Sequence, residues 1–182
     1  KIEEAQRQFI ELTDRALALD PNEPYAIGMK ANVLVFEGRF NEAVQEAKRV
    51  LKPGGRLAIC IWDKAELSEA TEVLKAIGSF LPPPPPGTPG PFALSEDGRI
   101  ESILSNAALK LVYKTSVSCP ILYTKLSDGV KSFMATGPAA AACNYADEKK
   151  VKEIITQALQ PFHLTEDFYH LQNQFLVFIA EK

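Results

Sequence analysis

The sequence contains few of the residues that mark covalent or metal chemistry. Three cysteines and two histidines occur among 182 residues. Cys60, Cys119 and Cys143 lie far apart, and none belongs to a CxxC motif or to a paired Cys/His spacing. A disulfide framework and a structural zinc site are therefore not expected, and we predict reduced thiols and no metal.

Strong charge and long apolar runs are also lacking. The formal net charge is -3, which gives no indication of nucleic acid or of an anionic membrane as partner. No apolar run approaches the roughly 20 residues of a membrane span. The first residues, Lys1 to Glu4, are acidic and amphipathic and lack an initiator methionine. We therefore expect a cytoplasmic protein whose given sequence begins inside a longer chain or after a removed tag.

The first 51 residues have the pattern of helices separated by turns. Apolar residues recur at three- and four-residue spacing before Asp20-Pro21-Asn22, which predicts one amphipathic helix. A second helix is predicted over 24–36, although Val33–Glu37 also permits a short strand. The third helix is expected from Asn41, as a possible N-cap, to Leu51.

The remaining residues alternate between strand and helix patterns. Lys52-Pro53-Gly54-Gly55 predicts a tight turn, and the stretch that follows it is apolar on both faces, as in a buried interior strand. The five prolines from Pro82 predict an extended surface loop. In all, strands are predicted at 57–62, 109–117 and 175–180. Helices are predicted at 67–81, after Ser95, at 126–134 and from Asp147. An Ala-rich turn is predicted after Gly137-Pro138.

The helical segment resembles tetratricopeptide repeats. One repeat period of about 34 residues separates Ala16-Leu17 from Val50-Leu51, and the small residues Ala31, Gly38 and Ala43 match the helix crossing. Pro53 stands two places early, and Ala47 replaces an aromatic residue. The resemblance covers about 1–50 and implies a helical hairpin as a first domain.

A second resemblance covers about 42–182. The residues EAKRVLKPGGRLAI, from Glu46 to Ile59, resemble the segment that leads into the fifth strand of class I S-adenosylmethionine-dependent methyltransferases. Gly90–Ser95, Gly137-Pro138-Ala139 and the final apolar strand resemble later parts of that family. The resemblance implies an α/β domain over 51–182, the C-terminal half of a Rossmann-like methyltransferase sheet with flanking helices. In that arrangement the final strand is inserted between other strands.

The cofactor half of that family is missing from the sequence. A first strand, a glycine-rich turn and an acidic ribose ligand should precede residue 42, where only Gly28 and Gly38 occur. We expect no cofactor-binding residue and no bound cofactor in this chain alone, and S-adenosylmethionine only if a missing half is supplied. The catalytic residues stay unknown. The alternative is a non-enzymatic protein-interaction module or a chimeric, oligomerising scaffold.

Five residues are candidates for a substrate pocket. Trp62 lies at the C-terminal end of a predicted strand, where ligands bind in open α/β sheets. Each candidate also has an ordinary packing or surface interpretation. Asp63 and Glu66 are typical of a helix start rather than of an acid pair. The candidates are Trp62, Phe92, Tyr123, Phe133 and His170.

The predicted half sheet implies a partner. Without upstream neighbours, the 57–62 strand would present an open apolar edge. We expect the N-terminal helices, a second copy of the chain or another protein to cover this edge. Nucleic acid and membrane are not expected partners.

Overall fold

The computed structural model describes residues 2–84, 86, 88–165 and 168–182, without the side chains of residues 2–6, 24 and 36. The chain divides into two compact units, which are Lys1–Cys60 with Ala93–Thr115 and Val177–Lys182, and Ile61–Phe92 with Ser116–Leu176. Short 3-10 turns occupy Ala65–Leu67 and Gln160–Phe162. In chain order the elements are α1 Ile2–Leu19, α2 Pro24–Phe36, α3 Phe40–Val50, β1 Arg56–Trp62, α4 Ala70–Gly78, α5 Arg99–Asn106, β2 Lys110–Ser118, β3 Ile121–Tyr123, α6 Leu126–Met134, α7 Gly137–Ala142, α8 Glu148–Leu159, β4 His163–Thr165, β5 Phe168–Leu171 and β6 Gln174–Glu181.

The first three helices confirm the helical pattern of the sequence. Glu23 caps α2, and its carboxylate accepts a 2.5 Å hydrogen bond from the Ala26 N–H. The helical course of α2 excludes the alternative strand at Val33–Glu37. Asn41 does not cap α3, because Arg39 takes the N-cap position and makes no side-chain cap. Helix α2 packs against both α1 and α3, and the buried residues there are Ala26, Ile27, Val33, Leu34 and Ala43.

The predicted turn joins α3 to β1. Gly54 has a φ of 72°, a conformation that other residues adopt only with strain. A Cβ atom on Gly55 would lie 2.8 Å from the Lys52 carbonyl oxygen. The Lys182 ammonium donates to the carbonyls of Lys48 at 2.8 Å and Leu51 at 2.6 Å. The Leu51 carbonyl, just past the end of α3, gains a partner in this way, and the Lys48 carbonyl, which also accepts from the Leu51 N–H at 3.2 Å, gains a second one.

The larger sheet has the strand order β1-β6-β2. Strand β6 is antiparallel to β1, because Lys182 N–H bonds to the Gly55 carbonyl at one end and Asp63 N–H to the Gln174 carbonyl at the other, both at 3.0 Å. The predicted insertion of the final strand between two others is confirmed. Strand β1 therefore lies at an edge of this sheet, as the open-edge prediction requires.

The prediction that β1 is buried on both faces is wrong. Ala58 and Cys60 are exposed, and Leu57, Ile59 and Ile61 are only half-buried, so the face that carries Ala58 and Cys60 is open and the opposite face is only partly covered. The predicted α/β class is found as a mixture of helices with two small sheets. The pairings that the structure gives in both sheets are antiparallel.

Three predicted boundaries in the later part of the chain need correction. Helix α4 begins at Ala70 rather than 67, because Ser68 forms a β-bridge with Asn173 and the Glu69 N–H bonds to the Gln172 carbonyl at 2.9 Å. It ends at Gly78 rather than 81. Ser95 does not cap α5, which follows Gly98 with its φ of 79°.

The predicted Ala-rich turn is helix α7. Thr136 caps it, Pro138 stands in its first turn, and the alanines that follow are the best helix formers. The described prolines at 82–84 and 86 are exposed and lie outside helices and strands, as predicted. Residues 85 and 87 lie outside the described residues.

The second unit contains its own core and a second sheet. Strands β3, β5 and β4 form this sheet in that order, with Ile121 opposite Leu171 and Tyr123 opposite Tyr169. The sequence did not predict these short strands. No helix in the described part of the chain has the length and apolar character needed to cross a bilayer. The buried core residues are Ala70, Val73, Ile77, Phe133, Ala139, Ala142, Val151, Ile155, Leu159 and Leu171.

Candidate functional site

The structure does not bring the five predicted pocket residues into one site. Phe133 is 5% exposed and belongs to the core of the second unit. Trp62 and Tyr123 are half-buried and pack against the same core. Phe92 and His170 are half-buried outside it. These positions indicate packing for Phe133 and leave partly accessible rings at the other four residues.

Trp62 lies at the C-terminal end of β1, where the sequence predicted it. Its ring is tilted by 31° against the ring of Phe175, and the two ring centroids are 4.5 Å apart. Such a pair contributes packing energy beyond the area that it buries. The aromatic pair therefore fixes the end of β1 against the start of β6 within the second unit.

Tyr123 and His170 lie on different faces of the smaller sheet. Tyr123 is opposite Tyr169, whereas His170 is opposite Leu122, and successive residues of a strand point to opposite faces. The Tyr123 hydroxyl is 3.0 Å from Ser132 Oγ. The register thus places the side chains of Tyr123 and His170 on opposite faces of this sheet.

Tyr123 is held close to helix α6. A Cβ atom on Gly129 would approach the Tyr123 ring to 3.1 Å and the Leu159 side chain to 3.1 Å. Glycine at this position allows the helix and the ring to approach each other closely. The ring is therefore fixed by packing, and only its hydroxyl end is available for polar contacts.

Asp63 is the centre of a polar cluster that the sequence did not predict. Its side chain is 5% exposed, and its two oxygens accept hydrogen bonds of 2.8 Å from Lys64 N–H and from the Ser116 hydroxyl. Ser116 Oγ also lies 3.2 Å from Gln174 Oε1. The predicted helix-start role of Asp63 is thus wrong, because its carboxylate joins the ends of strands. The only signal in the sequence is one acid directly after an apolar strand.

Asn173 forms a second buried polar contact. It is fully buried, and its side-chain oxygen accepts from Ala70 N–H at 3.2 Å while its amide donates to the Leu171 carbonyl at 2.9 Å. Glu69 accepts a 2.5 Å bond from Gln172 N–H. These bonds join the start of α4 to the connection between β5 and β6. Both carboxylate oxygens of Asp63 and both polar atoms of the Asn173 side chain make hydrogen bonds that hold the fold together, which indicates a structural role for each residue.

An open groove of about 910 Å³ lies between α6 and α8 in the second unit. Leu126, Val130 and Met134 line one side of it, and Cys143 lies beside them. Lys131 and the Glu148–Lys152 ion pair also line it. None of the five predicted pocket residues lines this groove. In the part of the chain that the structure describes, no cluster of three or more His, Cys, Asp or Glu residues could hold a metal ion.

Comparisons with known proteins add a structural likeness. No protein-family model matches the chain, and no curated protein matches it. The structure is similar to that of a candidate methyltransferase from Bacillus halodurans, with a TM-score of 0.41 and 15% sequence identity. The match covers 79% of this chain and 58% of that one, so this chain spans less than two thirds of its neighbour. At this TM-score the likeness assigns neither a family nor an activity.

Proposed function

We propose that the chain carries the substrate-side, C-terminal half of a class I S-adenosylmethionine-dependent methyltransferase fold. The observation that carries this proposal is the position of β6, the last strand, between β1 and β2. The sequence resemblance implies this insertion. A chain that simply added each new strand at the outside of its sheet would instead have β6 at an edge.

The connection from α3 to β1 is the second support. The helix ends at Val50, and the turn that contains Gly54 and Gly55 delivers the chain directly into β1. The family that the sequence resembles has a helix, a Pro-Gly-Gly turn and a strand in this order. Gly55 is required on geometric grounds, because its close approach to the Lys52 carbonyl leaves no room for a side chain.

We propose that this polypeptide does not bind S-adenosylmethionine by itself. A cofactor site of this family needs a strand, a glycine-rich turn and a helix before residue 42. Residues 2–41 contain α1, α2 and the first two residues of α3, and Gly38 with its positive φ stands between two helices. With a missing half supplied, the expected acceptor is a small or lipid-like molecule.

Calorimetry and thermal unfolding with S-adenosylmethionine and S-adenosylhomocysteine test this proposal. A ligand that binds only the folded form raises the melting temperature, so we expect no shift and no saturable heat with the purified 182-residue chain. Saturable binding of either compound would show that a cofactor site exists here. The gene sequence upstream of Lys1 gives a second test, because a strand, glycine-rich turn and helix encoded there would support the methyltransferase proposal.

The alternative function is a protein-interaction module built on α1 to α3. This alternative is favoured by exposed apolar side chains, since Leu12 is 63%, Leu19 90% and Tyr25 73% exposed. A repeat unit normally buries such residues against a neighbouring repeat. Replacing Leu12 and Tyr25 with serine should abolish self-association in light scattering if a second copy covers them. A second full helical repeat encoded upstream would also favour this alternative.

The edge of β1 is the expected place for a partner or a second copy. Its outer side has no strand neighbour among the described residues, and an unpaired edge is a template for another strand. Hydrogen exchange of the amides at 57–62, measured with light scattering over a range of concentrations, tests this proposal. Protection that rises with oligomer formation supports it, and a monomer with rapidly exchanging amides contradicts it.

A further inference from the structure

We propose that the groove between α6 and α8 binds a small amphiphilic carboxylate, with the apolar body along α6 and the carboxylate between Lys131 and Lys152. The groove lies wholly within the second unit. This inference does not depend on methyl transfer or on the missing cofactor half. Its failure would leave the proposed function untouched.

The wall that α6 contributes is suited to an extended apolar chain. Leu126, Val130 and Met134 follow each other at four-residue spacing, so their side chains form one row along the helix. The row is about 12 Å long at the rise of an α-helix. All three side chains are half-buried and pack against the core, so the row is held in place and still accessible.

The charged residues of the groove favour a single anion. Lys131 is exposed, and no acidic group pairs with it among the residues that the structure describes. Lys152 forms an ion pair of 2.5 Å with Glu148 on the same helix. Two lysines and one glutamate leave one positive charge in excess. One carboxylate would balance it, whereas a phosphate dianion would exceed it.

Lys152 stays protonated in this arrangement. Its hydrogen bond to Glu148 raises the pKa of the ammonium group above its ordinary value. The two lysines come from different helices, so a carboxylate between them would join α6 to α8.

The size of the groove favours a small molecule over a polypeptide segment. Its volume of about 910 Å³ lies within the range of small-molecule sites, which is roughly 300–1,000 Å³. A medium-length acyl chain with a terminal carboxylate matches the apolar row and the adjacent lysines. A helical peptide would need a longer apolar surface than the row on α6 offers.

Cys143 provides a direct test because it lies in the groove. The purified chain is treated with a thiol-alkylating reagent, and the labelling rate of each cysteine is measured by peptide mass mapping. Decanoate below its micelle concentration is the probe. The exposed Cys60 and Cys119 lie outside the groove and serve as internal controls. We expect decanoate at about four times its dissociation constant to slow labelling of Cys143 about fivefold and to leave the two controls unchanged.

Two chemical controls separate charge recognition from hydrophobic adsorption. Decanol has the same chain without the carboxylate, and decyltrimethylammonium carries the opposite charge. We expect weaker protection of Cys143 by decanol and none by the cation. Equal protection by all three compounds would overturn the proposal, as would protection of all three cysteines or no protection by decanoate.

Matched variants test the role of the lysines. Lys131→Gln should raise the dissociation constant of decanoate, obtained from the concentration dependence of Cys143 protection, about fivefold, as expected for the loss of one partly exposed charge contact. Lys150→Gln removes the same charge from an exposed position on α8 outside the groove and should leave protection unchanged. Equal effects of both substitutions would indicate only a general attraction by the net charge of α8 and α6, and would contradict the proposed site.

Discussion

The hydroxyl of Ser116 donates a hydrogen bond of 2.8 Å to the buried carboxylate of Asp63. Asp63 directly follows β1 and Ser116 lies near the end of β2, so the bond connects two strands that are not neighbours in the sheet. Gln174, at the start of the strand between them, is also within 3.2 Å of Ser116 Oγ. A single polar cluster therefore ties together the ends of all three strands within the second unit.

Asp63→Ala should lower the free energy of unfolding by about 2 kcal/mol. The substitution removes the carboxylate that accepts hydrogen bonds from the Ser116 hydroxyl and the Lys64 N–H. Urea unfolding at neutral pH measures the change. Glu66→Ala is the matched control, since Glu66 is an exposed acid nearby and its loss should cost less than about 0.5 kcal/mol. Equal effects of the two substitutions would show that the cluster contributes nothing to stability.

Two buried threonines should respond to the same substitution with opposite signs. The Thr71 hydroxyl is buried and has no hydrogen-bond partner among the described residues, whereas the Thr13 hydroxyl donates to the Phe9 carbonyl at 2.8 Å. Thr71→Val removes an unpaired polar group at nearly constant volume and should stabilise the protein by about 1 kcal/mol. Thr13→Val should destabilise it by a similar amount. Loss of stability in both variants would contradict the assignment of Thr71 as unpaired.

Two glycines should also respond oppositely to alanine. Gly55→Ala forces a Cβ atom to within 2.8 Å of a backbone oxygen, so the turn must shift at a cost of about 2 kcal/mol. Gly28 lies inside α2, and a Cβ atom added to it would meet no atom within 4 Å, so Gly28→Ala should stabilise by about 0.5–1 kcal/mol through helix propensity. Thermal unfolding of both variants measures the difference. A neutral Gly55→Ala would remove the steric requirement at the turn.

The Glu101–Lys114 ion pair predicts a pH dependence of stability. The hydrogen bond from Lys114, at 2.6 Å, lowers the pKa of Glu101 below its ordinary value of 4.5. The folded state thus binds the proton less tightly than the unfolded state. The resulting stability is present above the unfolded pKa and is lost as the pH falls through the folded pKa. Because the Glu101 side chain is about one third exposed, solvent screening limits the contribution to about 0.5 kcal/mol.

Glu101→Gln should therefore be less stable than the parent protein at pH 7 and equally stable near pH 2. Urea unfolding at several pH values between these limits provides the measurement. Glu96→Gln, in the exposed loop before α5, should follow the parent curve throughout. A constant difference between Glu101→Gln and the parent protein at every pH would point to a packing effect instead.

Local patterns predicted the long elements of the fold well. The spacing of apolar residues and the stop at Asp20-Pro21 define α1, and the two-sided apolar runs define β1 and β6. The short strands β3 to β5 were missed because three or four residues are too few to show an alternation of apolar and polar side chains. Such strands form only by pairing with distant segments of the chain. Helix α7 was missed because Gly137-Pro138 was interpreted as a break, although proline is favoured in a first helical turn.

The candidate sites depend on information that one sequence does not contain. Tyr123 and His170 are separated by the register of β3 against β5, and a shift of one residue would reverse their faces. Asp63 and Ser116 are far apart in sequence and meet only through the sheet. The groove residues on α6 have the same pattern as an ordinary core-facing helix. Which part of such a row stays uncovered is decided by the distance to the next helix.

The ladder between β1 and β6 joins segments that are made at different times. Arg56 and Glu181, which form an ion pair of 3.3 Å, are 125 residues apart in the chain. During synthesis β1 leaves the ribosome long before residues 174–182, with which it pairs, have been made. Long-range pairing of this kind is slow because the entropy of loop closure is lost before contacts form. The nascent chain therefore carries an unpaired apolar strand until translation reaches this segment.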